Sequence, residues 1–268
     1  MTRVLSGAAL IAFAVVVVWW APIPIFEAVA AAMLFAAVEE LISLFTASGI
    51  RVPHWPSVLG ALFTLMAFSE VIGGRQLSLD VTLMAELIAL ALVALAAWRG
   101  GPDALGSTSA SLFPSLYLAV PIGAMVAIRE SGGPAALSLL MLTVIVSDSA
   151  QYYAGRAFGR RPLSPALSPK KTVEGALGGL LAGALTLALI GHWWWPAAPA
   201  AMRFALGALL VVLGITGDLF ESMLKRAAGV KDSAALIPGH GGVLDRVDAL
   251  LFAAPVYYTM MRYLARPA

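Results

Sequence analysis

Residues Val173 to Trp195 read VEGALGGLLAGALTLALIGHWWW, an apolar run with one acid near its start and three tryptophans at its end. A helix needs about 20 mostly apolar residues to cross a hydrocarbon core roughly 30 Å thick. Residues 173–192 meet that length. Indole rings settle at the headgroup level, so Trp193, Trp194 and Trp195 mark where this span leaves the core. Gly175, Gly179 and Gly183 recur at four-residue spacing and so share one helix face. Small residues on one face let a second helix approach closely. That seam lies either inside one protomer or in a dimer contact.

The same pattern extends outward from this segment. Spans are expected near 4–21, 25–48, 57–74, 80–98, 112–128, 134–154, 173–192, 200–222 and 244–264. Glu39, Glu40 and Glu70 interrupt the second and third. The expected fold is therefore all-α, a polytopic integral membrane protein with about nine transmembrane helices. Composition agrees: 60% of the 268 residues are hydrophobic and 12% are charged. Soluble domains carry about 25% charged residues. The mean hydropathy is +0.90. Leu5 to Trp20 follows a single Arg3 and resembles a signal peptide, but further apolar segments come after it. It is read as a retained first span.

Charge distribution sets an orientation. With a cytoplasmic N-terminus, 12 of the 17 Lys and Arg residues fall on the cytoplasmic side and 5 on the other. The positive-inside rule favours that arrangement. It places the loops 155–172 and 223–243 in the cytoplasm. No long basic tract is present to track a nucleic-acid backbone, so no nucleic-acid partner is expected. The absence of cysteine excludes disulfides, thiolate metal sites and cysteine nucleophiles.

The concentrated polar chemistry begins near Ser147. Two regions are expected: N-terminal transmembrane helices over 1–110, and a transmembrane catalytic region over 111–268 that carries both loops. Ionisable groups within spans are costly and are functional candidates by default. Asp148, Asp218, Glu221, Asp245 and Asp248 all fall near expected cytoplasmic span ends. On a helix, Asp218, Glu221, Ser222 and Lys225 share a stripe, followed by Arg226. That stripe reads either as local ion pairing at the membrane edge or as a metal and phosphate site.

The next segment favours the second reading. Lys231 and Asp232 precede Pro238-Gly239-His240-Gly241-Gly242-Val243-Leu244-Asp245-Arg246-Val247-Asp248. Glycines let a backbone approach a ligand closely, and successive N–H groups there can form an anion nest. His240 is read as ordering this loop or touching phosphate, not as a base. Hard carboxylate oxygens suit Mg²⁺, which bridges a few carboxylates to substrate phosphates. Phosphate-transfer chemistry needs mainly positioning and charge stabilisation. A second basic stretch, Ser168-Pro169-Lys170-Lys171-Thr172, opens the span at 173, where helix N–H groups favour anions. Its simple reading is topological. Its functional one is a hold on nucleotide or lipid phosphate. His54 and His192 have no supporting motif and are placed in exposed or interfacial loops.

These motifs resemble the phosphatidate cytidylyltransferase family, the CDP-diacylglycerol synthases. The signature runs from Ser222 through Lys225-Arg226, Lys231-Asp232, Pro238, His240-Gly241-Gly242 and Asp245-Arg246 to Asp248. A second family-like stretch holds Asp148, Tyr152, Gly155-Arg156, Phe158-Gly159-Arg160 and Ser168 to Gly175, with Gln151 where the family usually has Ala. The resemblance covers roughly 147–250. It implies a helical membrane fold, a homodimer and Mg²⁺ dependence, with a second cation such as K⁺ sharing the site; the expected setting is the inner membrane, with the site on the cytoplasmic side that the charge bias assigns. It implies attack of the phosphatidic acid phosphate on the α-phosphorus of CTP, with loss of pyrophosphate.

Asp218, Asp245 and Asp248 are then the metal ligands and, with Lys225, the catalytic set. Ser222, Arg226, Lys231, Asp232, His240, Gly241, Gly242, Arg246, Asp148, Lys170, Lys171 and Thr172 handle substrate. Two rivals stand beside this reading. A CTP-dependent polyprenol or dolichol kinase transfers the γ-phosphate and releases CDP. A transporter uses its intramembrane acids as ion sites, but the charges here cluster at one membrane edge instead of crossing the midplane.

Overall fold

A computed structural model describes residues 2–69, 78–98, 103–196, 198–234 and 241–264. Helices account for nearly all of it: α1 (Thr2–Trp20), α2 (Ile23–Ala47), α3 (His54–Met66), α4 (Leu79–Ala97), α5 (Asp103–Pro114), α6 (Val120–Phe158), α7 (Val173–Trp194), α8 (Ala200–Ala227) and α9 (Leu244–Leu264). Five stretches are long and apolar enough to cross a membrane: α2, α4, the run Ala104–Phe158, α7 and α8. Among the described residues this is fewer than the nine spans expected.

The differences have local causes. The expected span at 57–74 begins as α3, which has 13 residues. At 1.5 Å per residue it reaches about 20 Å, short of the hydrocarbon thickness. Residues 70–77 lie outside the described ones. The expected spans at 112–128 and 134–154 join without a loop. Between them Gly133 takes φ +73°, and Pro134 follows it. Glycine enters this left-handed region without a Cβ clash, and proline withholds an N–H from the helical ladder. A further irregularity follows Pro114, where Ser115–Ala119 winds as a wider π turn.

The fold is all-α apart from one short hairpin. Within the loop 155–172, β1 (Pro162–Ser164) pairs antiparallel with β2 (Ser168–Thr172). Thr172 ends this hairpin and caps α7, its Oγ1 accepting from Gly175 N at 3.1 Å. Glu174 Oε2 accepts the Arg160 and Arg161 amides at 2.9 and 3.2 Å. The N-terminus of α7 is thus served by Thr172 and carries an acid in its first turn.

The chain divides into two compact units, Met1–Glu130 with Leu224–Val247, and Ser131–Met223 with Asp248–Ala268. In the first unit, polar groups within the apolar helices satisfy one another. Glu86 on α4 is buried and accepts from Thr64 Oγ1 at 3.0 Å and Ser115 Oγ at 2.5 Å. The π turn is what presents Ser115. His54, expected in a loop, instead opens α3 and lies 2.7 Å from Glu39. The two acids of α2 do not interrupt it: the helix runs unbroken through Glu39 and Glu40.

In the second unit the glycine stripe of α7 finds its partner within the chain. A Cβ on Gly175 would lie 2.7 Å from Gln151 O, one on Gly179 2.9 Å from Ser147 O, and one on Gly183 3.3 Å from Thr143 O. Those three partners are themselves four residues apart on α6. Of the two readings of the stripe, the intrachain seam is the one realised. Gly207 on α8 closes against Ala184 and Leu187 of α7 in the same way. His192 lies in the last turn of α7 instead of a loop. Buried Arg203 holds the connection from α7 to α8, donating to the carbonyls of Ala188, Trp195 and Ala198 at 3.1, 2.9 and 2.5 Å.

Candidate active site

In the second unit three elements bring charged residues of the sequence motifs together. Asp148 comes from α6, Lys171 from β2 and Asp218 from α8. The Lys171 ammonium is bonded to Asp218 Oδ2. The charges of Asp148, Asp218 and Lys171 act on one another. Gln151 Nε2 donates to Asp148 Oδ1 at 3.0 Å and orients it. Gln151 is the position at which this sequence departs from the resembled motif, and the extra amide is what it adds here. Lys170 on β2 is exposed, while Thr172 is committed to capping α7. Asp248, one helical turn into α9, accepts from the Ala249 amide at 2.7 Å.

The first unit holds a second charged cluster. Lys225, near the end of α8, donates to Asp245 Oδ1 at 2.5 Å. Both side chains are mostly buried, at 12% and 8% exposure. Asp245 Oδ2 accepts from Gly242 N at 2.8 Å and Ser233 N at 3.2 Å, and lies 2.9 Å from Ser233 Oγ. Glu40 reaches the same loop from α2. Its Oε1 accepts from Val243 N at 2.7 Å, and its Oε2 from Leu244 N at 2.9 Å. Glu40 Oε2 also lies 2.8 Å from Ser233 Oγ.

These contacts revise one expectation. The glycine-rich turn does present successive N–H groups, but the amides of Gly242, Val243 and Leu244 point at the chain's own carboxylates. The glycines are required by this closeness. Gly241 has φ +76°, and a Cβ on it would press on Asp245. A Cβ on Gly242 would press on Ser233 Oγ and Glu40.

The remaining nominated residues are placed more loosely. Arg226 is exposed and donates to Val230 O at 3.1 Å, closing the turn after α8. Lys231, Asp232 and Arg246 are exposed, and Ser222 is partly buried on α8. His240 lies outside the described residues. Glu40 and Ser233 were not nominated from sequence. An acid inside an apolar span was the available signal for Glu40. Ser233 offered none, because its partner Glu40 is 193 residues away.

Mg²⁺ keeps several waters and needs only one or two protein carboxylates plus substrate phosphates. Asp218 and Asp245 have the required hard oxygens, and each already faces a cation, Lys171 and Lys225 respectively. Among the described residues no three acids or histidines group closely enough to form an all-protein cage. Within each unit, a single aspartate of this kind meets the few-carboxylate mode of Mg²⁺ binding.

Apolar helices of membrane-spanning length define a multi-pass membrane protein, and carboxylate–lysine pairs lie in its polar clusters. The family model described as "Cytidylyltransferase family" matches residues 1–264, and the chain belongs to that family. It is 39% identical over 155 residues to "Phosphatidate cytidylyltransferase" of Aquifex aeolicus, covering 58% of this chain and 56% of that one. It is 35% identical over 265 residues to "Phosphatidate cytidylyltransferase 5, chloroplastic" of Arabidopsis thaliana, covering 88% of this chain and 65% of that one. It is 43% identical over 132 residues to "Uncharacterized protein YnbB" of Escherichia coli, covering 49% and 44%. The chain spans about half to two thirds of the length of these relatives.

Proposed function

We propose that the chain is a phosphatidate cytidylyltransferase, forming CDP-diacylglycerol and pyrophosphate from CTP and phosphatidic acid. A phosphate oxygen of the lipid bonds to the α-phosphorus of CTP, and the bond from that phosphorus to the bridging oxygen of the β-phosphate breaks. No activated side-chain nucleophile is required, because the lipid phosphate is already anionic. The protein's task is to hold two polyanions together long enough to react. The observation that carries the reading is that a lysine from each family-like stretch pairs directly with a carboxylate, Lys171 with Asp218 and Lys225 with Asp245. The shared name of most relatives supports the same reaction.

Bound Mg²⁺ supplies charge neutralisation at the phosphates and at the leaving pyrophosphate. Asp218, Asp245 and Asp248 are its proposed ligands, and a second cation such as K⁺ is proposed beside it. Lys225, beside Asp245, would offset phosphate charge at the bound substrates. Lys170, Lys171, Arg226, Lys231 and Arg246 offset further phosphate charge, with Ser222, Asp148, Thr172, Asp232 and His240 contributing to substrate binding. Gly241 and Gly242 act through the shape of their turn. The proposed setting is the inner membrane, with the site on the cytoplasmic side and the chain as a homodimer.

Purified protein given phosphatidic acid and CTP labelled at the γ-phosphate tests the chemistry. Label in pyrophosphate supports the reading. Label transferred to a lipid, with CDP released, supports a lipid kinase instead.

A further inference from the structure

We propose that Glu40 is a positioning residue for the reaction, acting from the N-terminal half of the chain on the loop that carries Asp245. The proposal rests on the cytidylyltransferase reading for its kinetic consequences only. Glu40 sits within an apolar helix at 3% exposure, and an acid buried there needs donors. It finds them at both ends of one loop. Val243 and Leu244 amides donate to it at 2.7 and 2.9 Å, and Ser233 Oγ lies at 2.8 Å. The first N–H groups of a helix have no partner within it. Here the first of them in α9, Leu244 N, and the Val243 amide just before it are served by a carboxylate from a helix far away in sequence.

Asp245 closes the same loop from the other side. It bonds the backbone of Ser233 and of Gly242, and lies 2.9 Å from the hydroxyl that Glu40 also faces. Ser233 has one hydroxyl proton and two carboxylate neighbours, so it donates to one at a time. The two acids therefore share the serine and divide the amides of 242–244 between them. This fixes the Asp245 carboxylate with Oδ2 turned to the loop and Oδ1 turned to Lys225. Gly242 is the residue that permits it, since a Cβ there would displace Glu40. Glu40 thus acts through the loop on Asp245 and, through Asp245, on Lys225.

The test uses the full chain in detergent, with Glu40→Ala, Glu40→Gln, Glu40→Asp and Ser233→Ala variants. Two readouts are taken: amide hydrogen exchange of peptides covering 241–247, and steady-state turnover of CTP with phosphatidic acid. Glu40→Ala is expected to speed exchange over 241–247 by at least about tenfold while leaving peptides of α7 unchanged. It is expected to lower kcat by about 10²-fold with little change in KM for CTP, as misplacement of a reacting group does. Glu40→Asp keeps both acceptor oxygens and recovers part of kcat. Glu40→Gln puts an amide donor against a backbone donor and does not.

Unchanged exchange over 241–247 in Glu40→Ala overturns the clamp. Faster exchange with wild-type kcat, or a loss expressed in KM alone, overturns the positioning role. Should Glu40→Ala fail to fold, Glu40→Asp and Ser233→Ala decide by the same two readouts. A wild-type chain that makes no CDP-diacylglycerol defeats the activity reading, while the exchange comparison still decides whether Glu40 holds the loop.

Discussion

Lys171 pairs with Asp218 and Lys225 with Asp245, and the roles proposed for these residues can be tested one at a time. Asp218→Asn keeps the shape and removes the charge that a hard cation requires. Turnover is expected to fall by about 10²–10³-fold, the usual loss when one preorganised electrostatic group is removed. The helical signal of the detergent-solubilised protein stays intact. Near-normal turnover in Asp218→Asn refutes its assignment as a ligand. Lys225→Met has a different signature, because it strands a mostly buried carboxylate. Breaking such a pair costs about 3–5 kcal/mol, and the Ser233 and Gly242 donors that remain place this case toward the lower end. A lowered thermal midpoint in detergent is expected, and an unchanged one contradicts the pairing. Lys225 and Asp245 were legible as a pair because they lie 20 residues apart on either side of one glycine-rich loop. Glu40 was not, because no spacing rule reaches across the chain from α2 to the start of α9.

Among the elements, the contact of α7 with α6 is the clearest case of sequence dictating structure. A glycine every four residues removes side chains from one face, and the backbone of α6 fills the space at Thr143, Ser147 and Gln151. Gly179→Leu must push these helices apart. A destabilisation of roughly 1–3 kcal/mol, the cost typical of overpacking, is expected as a lower thermal midpoint. A variant as stable as the parent contradicts the seam. The glycine spacing announced a close approach but could not name the partner, since nothing in α7 specifies which helix supplies the opposing face. The hairpin β1–β2 was invisible for another reason. SPKKT has no alternation of apolar and polar residues, and its pairing is set by the short connection between Ser164 and Ser168. Helix α3 ended early against an expected full span because hydropathy alone does not report where a helix stops.

For the molecule as a whole, apolar helices house polar clusters that a lipid-facing chain tolerates only when internally paired. The lack of cysteine makes the proposed orientation directly measurable. Single cysteines placed at Arg160 or Lys231 are expected to react with a membrane-impermeant maleimide only after the cells are permeabilised. Labelling in intact cells contradicts a cytoplasmic site. The central claim is the reaction itself. It is tested most directly by supplying purified protein in lipid with phosphatidic acid and CTP labelled at the α-phosphate, with Mg²⁺ and after chelation. Label entering CDP-diacylglycerol, one pyrophosphate released per turnover, and loss of both on chelation is the expected result. Intact CTP, or CDP released beside a newly phosphorylated lipid, contradicts it.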